Sequence, residues 1–324
     1  IHKLKKNINT KEDLKKFSND INRLERKITL FHGKVAKELL FETSVDIIGF
    51  HGQTIYHDPK NNISVQIGDG KLLSQITQKN VVFDFRKNDI KNGGEGAPLT
   101  PIYHKLIVQK KKINLPICIL NIGGISNITL IKDFQDENLI SQDLGPGNCL
   151  IDNWIRNNSE KKIDFEGRVA SRGKINEIIL EQALELYENF AEQNLSSSFD
   201  IKDFDISFAR GLSLEDGAST LTEYSARIIS TSLNDIFDKY NLTKTNVILC
   251  GGGRKNNYLV DRIKLNSKNN ISFLNIDTFG IDGDFVESQA FAYLAIRSVN
   301  SFNISFPKTT GCVKPCTGGT FVQY

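Results

Sequence analysis

Apolar residues recur along the chain at two different periods, which predicts alternating helices and strands. Residues 1–43 are mostly polar, with Leu14, Phe17 and Ile21 at spacings of three and four, which is typical of an amphipathic helix. Residues 45–50 form a short apolar run that ends in glycine-rich chain, which indicates a buried strand.

The same patterns continue to the end of the chain. The further predicted strands are residues 61–69, 81–85, 117–131 (a hairpin with a Gly-Gly turn), 139–143, 245–250 and 271–277. The further predicted helices are residues 71–80, the segments that begin at Pro101 and Cys149, residues 174–194 and 214–239, the segment after the glycines at 251–253, and residues 282–298. Residues 86–100 are predicted to be a long polar loop.

This alternation predicts an α/β protein of two similar halves, each opened by β-hairpins. We place the division near Leu115–Pro116, with an N-terminal domain of residues 1–115 and a C-terminal domain of residues 116–302. The tail, residues 303–324, is rich in Gly, Thr and Pro, and we expect it to pack back on the first domain.

Composition excludes several classes of protein. The 324 residues are 39% hydrophobic and 24% charged with a net charge of +3, which is typical of a soluble globular chain. No basic block is interleaved with aromatic residues, so we expect no nucleic-acid partner. No run of 18 apolar residues is present, so we expect no membrane partner.

The five cysteines favour a reducing compartment. Their number is odd and their surroundings are apolar or glycine-rich, which indicates free thiols in a cytoplasmic protein. Cys312 and Cys316 are four residues apart, but no second Cys or His pair lies nearby in sequence. We therefore expect no metal site formed by the protein alone.

Two glycine clusters follow predicted strands. In NIGGISN (121–127) the glycines are either a simple hairpin turn or a place where backbone N–H groups approach an anion, with Ser126 and Asn127 as further donors. CGGGRKN (250–256) lies between a strand and a helix, where glycines let a ligand lie against the backbone. The sequence lacks a Walker loop and a dinucleotide fingerprint here, so a mononucleotide is favoured.

Asp143 ends a strand just before a Gly-Pro-Gly turn. One interpretation is that its carboxylate caps the helix that begins at Cys149. The other is that it faces a cleft as a general base. The residues between Asp143 and the helix make capping awkward, and both interpretations stay open on this pattern alone.

Other polar positions have a structural and a functional interpretation. His51 is best explained as a hydrogen-bonded structural histidine, whereas the loop at residues 84–98 has the glycines and mixed charges of a ligand-gripping loop. Glu287 lies in the first turn of a predicted helix, where it either balances the helix dipole or binds a ligand.

Together these stretches resemble one family closely, the anhydro-N-acetylmuramic acid kinases of bacterial peptidoglycan recycling. The resemblance covers residues 45 to about 319, in order. Its motifs are HGQTIYHDP, QIGDG, DFRKNDIKNGGEGAPLTP, NIGGISNITL, DLGPGNCLIDNW, LSLEDGASTLTEYSA, LCGGGRKN and GDFVESQAFAYLA.

The resemblance implies the fold of sugar kinases, actin and heat-shock chaperone ATPases, with two α/β domains around a central ATP cleft. It implies a reaction that uses ATP and water to open 1,6-anhydro-N-acetylmuramic acid and phosphorylate O6. The products are N-acetylmuramic acid 6-phosphate and ADP. ATP with Mg²⁺ and a homodimeric assembly are also implied.

The resemblance also assigns roles to residues. Asp143 is the implied catalytic base. The implied ATP-binding residues are Gly123, Gly124, Asn127, Gly145, Gly147, Asn148, Gly251, Gly252, Gly253 and Asn256. The implied sugar-binding residues are Gln53, Thr54, Arg86, Glu95 and Glu287.

The sequence departs from the family pattern in a few places. The Gly-Thr-Ser-x-Asp-Gly hairpin with which family members begin is not in this sequence, and neither is any Met. We expect an active kinase if that hairpin precedes Ile1 in the natural protein, and loss of activity if it does not. Leu144 replaces a usual Thr, and Glu95 stands where Gln is also common; neither change removes the base.

Two alternatives follow from these departures. One is a non-catalytic muropeptide or sugar sensor on the same scaffold, but a sensor has no need of Asp143 or CGGGRKN. The other is an acetate- or glycerol-type kinase of the same superfamily, against which the loop at residues 84–98 argues, because it resembles the anhydro-sugar branch.

Overall fold

The chain forms alternating helices and strands throughout the residues that the structure, a computed structural model, describes: 1–5, 7–193 and 199–324. The strands are β1 (Ile47–Phe50), β2 (Gln53–Asp58), β3 (Ile63–Ile67), β4 (Asn80–Phe83), β5 (Ile117–Ile122), β6 (Ile125–Ile131), β7 (Ile140–Pro146), β8 (Thr245–Cys250), β9 (Ile271–Asn275) and β10 (Thr320–Val322). The helices are α1 (His2–Lys5), α2 (Lys11–Lys16), α3 (Ser18–Glu42), α4 (Gly70–Thr77), α5 (Lys87–Lys91), α6 (Pro101–Lys110), α7 (Cys149–Asn158), α8 (Glu177–Gln193), α9 (Leu214–Lys239), α10 (Asn257–Asn266), α11 (Val286–Val299) and α12 (Pro307–Thr310). The chain is therefore a mixed α/β protein, as the sequence predicts.

Two compact units divide the chain. The first unit contains residues 1–106, 135–139 and 287–324, and the second contains residues 107–134 and 140–286. The chain therefore passes from one unit to the other more than once.

The first unit is built on a three-stranded sheet. Its strand order is β1-β4-β10, with β1 parallel and β10 antiparallel to the central β4. A separate antiparallel hairpin joins β2 to β3. Ile55 and Ile67 of this hairpin pack with Ile8 and Ile28 in one buried cluster, which fixes the hairpin against the N-terminal helices.

The second unit is built on a five-stranded mixed sheet. Its strand order is β7-β6-β5-β8-β9, with an antiparallel meander from β5 to β7 and parallel pairing of β5, β8 and β9. Helix α9 begins where the Ser213 hydroxyl accepts from Asp216 N–H (3.1 Å). Most of α9 is buried within the main apolar core of this unit. The carboxyl ends of the parallel strands β5 and β8 thus lie side by side, and both strands pack in the same apolar core as α9.

The unit boundaries differ from the predicted domain boundaries. The division falls after Leu106, inside α6, rather than at Leu115, and residues 135–139 and most of α11 belong to the first unit. These segments are held by contacts distant in sequence: Asp136 Oδ2 accepts from Arg297 Nη2 (2.9 Å), and Asp136 also pairs with Lys105. The tail lies in the first unit, where β10 pairs with β4.

Several elements differ from their prediction. Residues 1–43, predicted as one helix, form α1, α2 and α3, with non-helical residues at 7–10 and 17. Residues 53–58 form strand β2, and residues 87–91 of the predicted polar loop form the short helix α5. Two predicted helical positions, Lys6 and Asn194, lie outside the described residues.

No helix in the described part of the chain is both long enough and apolar enough to cross a membrane.

Candidate active site

The β5–β6 hairpin ends in a tight glycine turn. Pairing continues to the last residues of the strands, where Ile122 lies opposite Ser126. Gly123 and Gly124 occupy the turn, and Gly123 N–H donates to Ile125 O (3.2 Å). The glycine turn therefore lies at the carboxyl end of β5.

A second glycine turn packs directly on the first. Gly147 N–H donates to Gly124 O (2.9 Å), and Asn148 donates to Gly123 O through its backbone N–H (2.8 Å) and its Nδ2 (3.2 Å). A Cβ at Gly147 would lie 2.4 Å from Gly123 O, so no larger residue fits without a shift. The approach of the two turns explains why position 147 is glycine.

A bulge in β7 places Asp143 beside these turns. Asp143 lies opposite Asn127 and Gly145 lies opposite Ser126, so Leu144 is an extra residue in β7. Gly145 has a φ of +142°. Bulges redirect the side chains next to them.

Hydrogen bonds stabilise the bulge from outside the sheet. Leu144 O accepts from Tyr187 OH (3.2 Å) on α8 and from Ser232 Oγ (3.3 Å) on α9. The half-buried Asp143 carboxylate accepts from Phe199 N–H (2.9 Å) through Oδ2. The N-cap position of α7 is Asn148, and Asp143 lies inside β7. This position favours the general-base interpretation over helix capping.

The three glycines after β8 differ in their surroundings. Gly251 has a φ of +77°, and a Cβ there would lie 2.4 Å from Asn121 Oδ1. A Cβ at Gly253 would lie 2.8 Å from Asn148 Nδ2. A Cβ at Gly252 would meet no heavy atom within 4 Å among the described residues. Gly251 and Gly253 therefore pack the loop against β5 and the second turn, while Gly252 faces open space.

These three loops meet at the carboxyl ends of two parallel strands. Ligands of open α/β sheets bind at this edge. Glycine turns and the N-terminus of the helix that follows them suit an anionic group such as a phosphate.

Arg254 anchors the third loop, and sequence reasoning assigned it no role. Its guanidinium is almost fully buried. Nε and Nη2 donate to the Asp277 carboxylate (3.0 and 3.1 Å). Nη1 donates to Asp284 Oδ1 (2.7 Å) and to Gly251 O (3.0 Å). Hydrogen bonds from Arg254 are the largest cause that lowers the pKa of Asp277. The run CGGGRKN contains this arginine, but its carboxylate partners lie over twenty residues further along the chain.

Asn256 has a structural contact in addition to its predicted role. Its Oδ1 accepts from Leu259 N–H (3.1 Å) and caps α10. A Cβ at Gly167 would lie 2.4 Å from the same oxygen. Its role in nucleotide binding stays a prediction.

Two buried polar atoms in this region have no partner among the residues that the structure describes. They are Ser126 Oγ and Asn127 Oδ1. Burying a polar atom without a hydrogen bond costs free energy, and such atoms in native proteins often serve a ligand. Ser126 Oγ would lie 2.8 Å from a Cβ at Gly147, so it adjoins the second glycine turn.

His51 and Arg86 form a pair in the first unit. Because Gly52 O can only accept, His51 Nδ1 donates to it (3.1 Å), and His51 Nε2 accepts from Arg86 Nε (3.1 Å). Burial, and second the charge of Arg86, lower the pKa of His51 to about 4. The neutral ring also contacts Phe291 edge to face. His51 is thus a hydrogen-bonded histidine that positions Arg86.

The other predicted sugar-binding residues also lie in the first unit. Gln53 is exposed at the start of β2, and Thr54 is half-buried beside it. Glu95 is half-buried, and its backbone N–H donates to Thr310 O (2.8 Å) in the tail. Glu287 is exposed in the first turn of α11. The predicted residues therefore form two sets, with the base and the ATP-binding residues in the second unit.

Comparison with known proteins agrees with the motifs. The anhydro-N-acetylmuramic acid kinase family matches residues 2–323. An anhydro-N-acetylmuramic acid kinase of Pelagibacter ubique (strain HTCC1062) is 51% identical over 322 residues, which are 99% of this chain and 86% of the relative. The Zymomonas mobilis protein of the same name is 39% identical over 305 residues, 92% of this chain and 80% of the relative.

A solved structure is a more distant match. It is the activator of the 2-hydroxyisocaproyl-CoA dehydratase from Clostridium difficile with bound ADPNP, with a TM-score of 0.37 and 14% identity. The match covers 61% of this chain and 65% of that one, and a similarity this low carries no argument about the site. The family match and the relatives confirm the resemblance seen in the motifs: the chain belongs to the anhydro-N-acetylmuramic acid kinase family.

Proposed function

We propose that the protein uses ATP and water to convert 1,6-anhydro-N-acetylmuramic acid into N-acetylmuramic acid 6-phosphate and ADP, in peptidoglycan recycling. The observation that carries the proposal is the half-buried carboxylate of Asp143, set by the β7 bulge beside two packed glycine turns. The kinase names of its relatives support catalysis over the sensor alternative.

Asp143 is proposed as the general base. It takes one proton from a water whose oxygen attacks the anomeric carbon, and the bond from that carbon to O6 breaks. The freed O6 takes the γ-phosphoryl group of ATP, and ADP leaves. A well-placed carboxylate of this kind contributes about 10²–10⁴-fold to the rate, and positioning and charge neutralisation supply much of the rest.

The glycine turns of the second unit are proposed to hold the ATP phosphates. The proposed set is Gly123, Gly124, Asn127, Gly145, Gly147 and Asn148, with Gly251, Gly252, Gly253 and Asn256 on the adenosine side. Ser126 Oγ, which has no hydrogen-bond partner among the described residues, supports a polar ligand at this place. Mg²⁺ would neutralise phosphate charge. Asn127 Oδ1, to which no described residue donates a hydrogen bond, is an oxygen of the kind that Mg²⁺ takes, directly or through water.

The sugar is proposed to contact Gln53, Thr54, Arg86, Glu95 and Glu287. The His51 contact supports this for Arg86, because a neutral histidine fixes the guanidinium without cancelling its charge. A fixed cation of this kind suits the lactyl carboxylate of a muramic acid.

Mass spectrometry of the sugar product tests the proposed reaction. The protein is incubated with ATP, Mg²⁺ and 1,6-anhydro-N-acetylmuramic acid, and ADP release is followed in parallel. We expect a product heavier than the substrate by one phosphoryl group and one water. Addition of a phosphoryl group alone would overturn the ring-opening step, and sugar binding without ADP release would favour the sensor.

We also propose a cytoplasmic homodimer. All five cysteines are free thiols in the structure, which supports a reducing compartment. Helix α3 exposes Phe31 (65%), Val35 (38%) and Leu39 (65%) at spacings of four residues, which places them on one face and supports burial of this face against a second copy. Sedimentation measures the mass: we expect a dimer, weakened by Leu39→Glu, and a monomeric wild type would exclude it.

A further inference from the structure

Three buried side chains from distant parts of the sequence meet in the first unit. Asp89, Cys312 and Cys316 each offer an oxygen or sulfur ligand atom, and these atoms lie within 4.8 Å of one another. Asp89 is 0% exposed, Cys312 1% and Cys316 6%. The sequence shows only the cysteine pair, because Asp89 lies more than 200 residues earlier.

The surroundings orient the Asp89 carboxylate. Its Oδ2 accepts from Gly96 N–H (2.6 Å), and its Oδ1 accepts from Thr310 Oγ1 (2.6 Å) and lies 3.9 Å from Cys316 Sγ. Side chains that bind a metal are typically oriented by hydrogen bonds to a polar atom that does not itself bind the metal, here Asp89 Oδ2.

The spacing is close to what a tetrahedral metal needs. Metal–sulfur and metal–oxygen bonds of about 2.3 and 2.0 Å separate the two ligand atoms by about 3.5 Å. Cys316 Sγ and Asp89 Oδ1 therefore need to approach by only a few tenths of an ångström. The fully buried Ser305 hydroxyl, 3.1 Å from Cys316 Sγ, offers a fourth ligand atom, and a water is the alternative.

We propose that Asp89, Cys312 and Cys316 bind one thiophilic divalent cation, with Zn²⁺ as its representative. Two thiolates select a soft metal over Mg²⁺, which prefers oxygen ligands. On binding, each thiol loses its proton to solvent and its sulfur forms a bond to the metal, with no change of oxidation state.

Such a metal would fasten the tail to the loop that carries Glu95. The backbone already joins these segments, since Glu95 N–H donates to Thr310 O (2.8 Å) and Val313 N–H donates to Asn92 O (3.0 Å). Occupancy would therefore stabilise the folded first unit. Binding itself does not depend on the proposed kinase reaction.

Metal binding is tested on reduced protein freed of metal with a chelator, without nucleotide. Co²⁺ is titrated first, because cobalt–thiolate bonds absorb in the near ultraviolet. Zn²⁺ then competes, and the metal retained after desalting is measured by mass spectrometry. We expect one equivalent of metal per chain and a thiolate–cobalt absorption that Zn²⁺ abolishes.

Matched variants locate the site. Cys312→Ala and Cys316→Ala should each lose the retained equivalent, while Cys118→Ala, in buried β5 of the second unit, should keep it. Circular dichroism verifies that each variant is folded. Wild-type protein without thiolate–cobalt absorption, or equal retention by all three variants, would overturn the proposal. The wild-type spectrum tests for thiolate–metal binding even if a variant fails to fold.

Discussion

At the scale of single residues, burial and then the charge of Arg86 keep His51 neutral, and the hydrogen bonds of its ring fit that neutral form. Gly52 O accepts from one ring nitrogen and Arg86 donates to the other, so both nitrogens are satisfied only in the neutral ring. A protonated ring would place an N–H against the Arg86 donor. The neutral His51 ring thus holds the Arg86 side chain in place.

His51 should make the protein less stable in mild acid. Its pKa is about 4 in the folded chain and near 6.5 in an unfolded one, so the unfolded chain binds more protons between these values. Its contribution to the free energy of unfolding is present above pH 6.5 and lost as the pH falls through 4, by at most about 3 kcal/mol. Buried His104, also with a pKa lowered to about 4, adds a similar loss.

Urea unfolding between pH 4 and 7 measures this dependence. His51→Gln keeps an acceptor for Arg86 but does not titrate, so we expect the slope to become smaller. An unchanged slope would contradict the assignment to His51.

Asp143→Asn should greatly slow turnover while the protein still binds ADP. The amide keeps an oxygen that can accept from Phe199 N–H, so the fold is retained, but it cannot act as a base. We expect turnover to fall by about 10²–10⁴-fold. Steady-state kinetics and calorimetric ADP titration measure the two properties, and retained turnover would remove Asp143 from the role of base.

At the scale of elements, the loop after β8 separates glycines needed for packing from a glycine that faces open space. A Cβ at Gly253 would lie 2.2 Å from Ile122 Cγ2, whereas one at Gly252 would meet no described heavy atom within 4 Å. The three glycines look equivalent in the sequence, and only their neighbours distinguish them.

Substitutions in this loop should therefore have different effects. Gly252→Val should leave stability nearly unchanged and weaken ADP binding by about tenfold or more, because its side chain occupies the open space. Gly253→Ala should lower the free energy of unfolding by about 1–3 kcal/mol through overpacking. Thermal unfolding measures the stability of each variant, and ADP titration measures its affinity. Unchanged ADP affinity in Gly252→Val would show that the nucleotide does not bind next to Gly252.

Much of this element-level structure could be predicted from sequence. Glycine pairs after apolar runs predicted the β5–β6 hairpin, and the periodicity of residues 214–239 predicted α9 to within a residue. The β7 bulge could not be predicted, because the extra residue is defined only by the register with β6. Nor could the Arg254 contacts, whose carboxylates follow a separate strand.

At the scale of the whole molecule, the units are assembled from separate segments. The domains predicted from the pattern are continuous apart from the tail, so they do not place residues 135–139 in the first unit. Their place depends on Asp136 pairing with Lys105 and Arg297, and no local pattern marks such partners. The family motifs, by contrast, assign proposed site residues to both units, because motif matching does not depend on where the division falls.

Removing the tail should destabilise the first unit selectively. A chain ending at Cys316 lacks β10 and the Thr317 carbonyl that accepts from Asn88 Nδ2 (2.6 Å). Hydrogen exchange followed by mass spectrometry should show faster exchange in β1 and β4 and unchanged exchange in β5 and β8. Equal acceleration in all four strands would contradict a selective effect.

The pairing of β10 with β4 has a consequence for synthesis on the ribosome. Every residue of the second unit is translated before Thr320–Val322 exists, so that unit can complete its sheet while the first is unfinished. During this interval β4 has one unpaired edge, which is a site for mispairing with another nascent chain. This edge of β4 in the first unit is closed only when β10 is made.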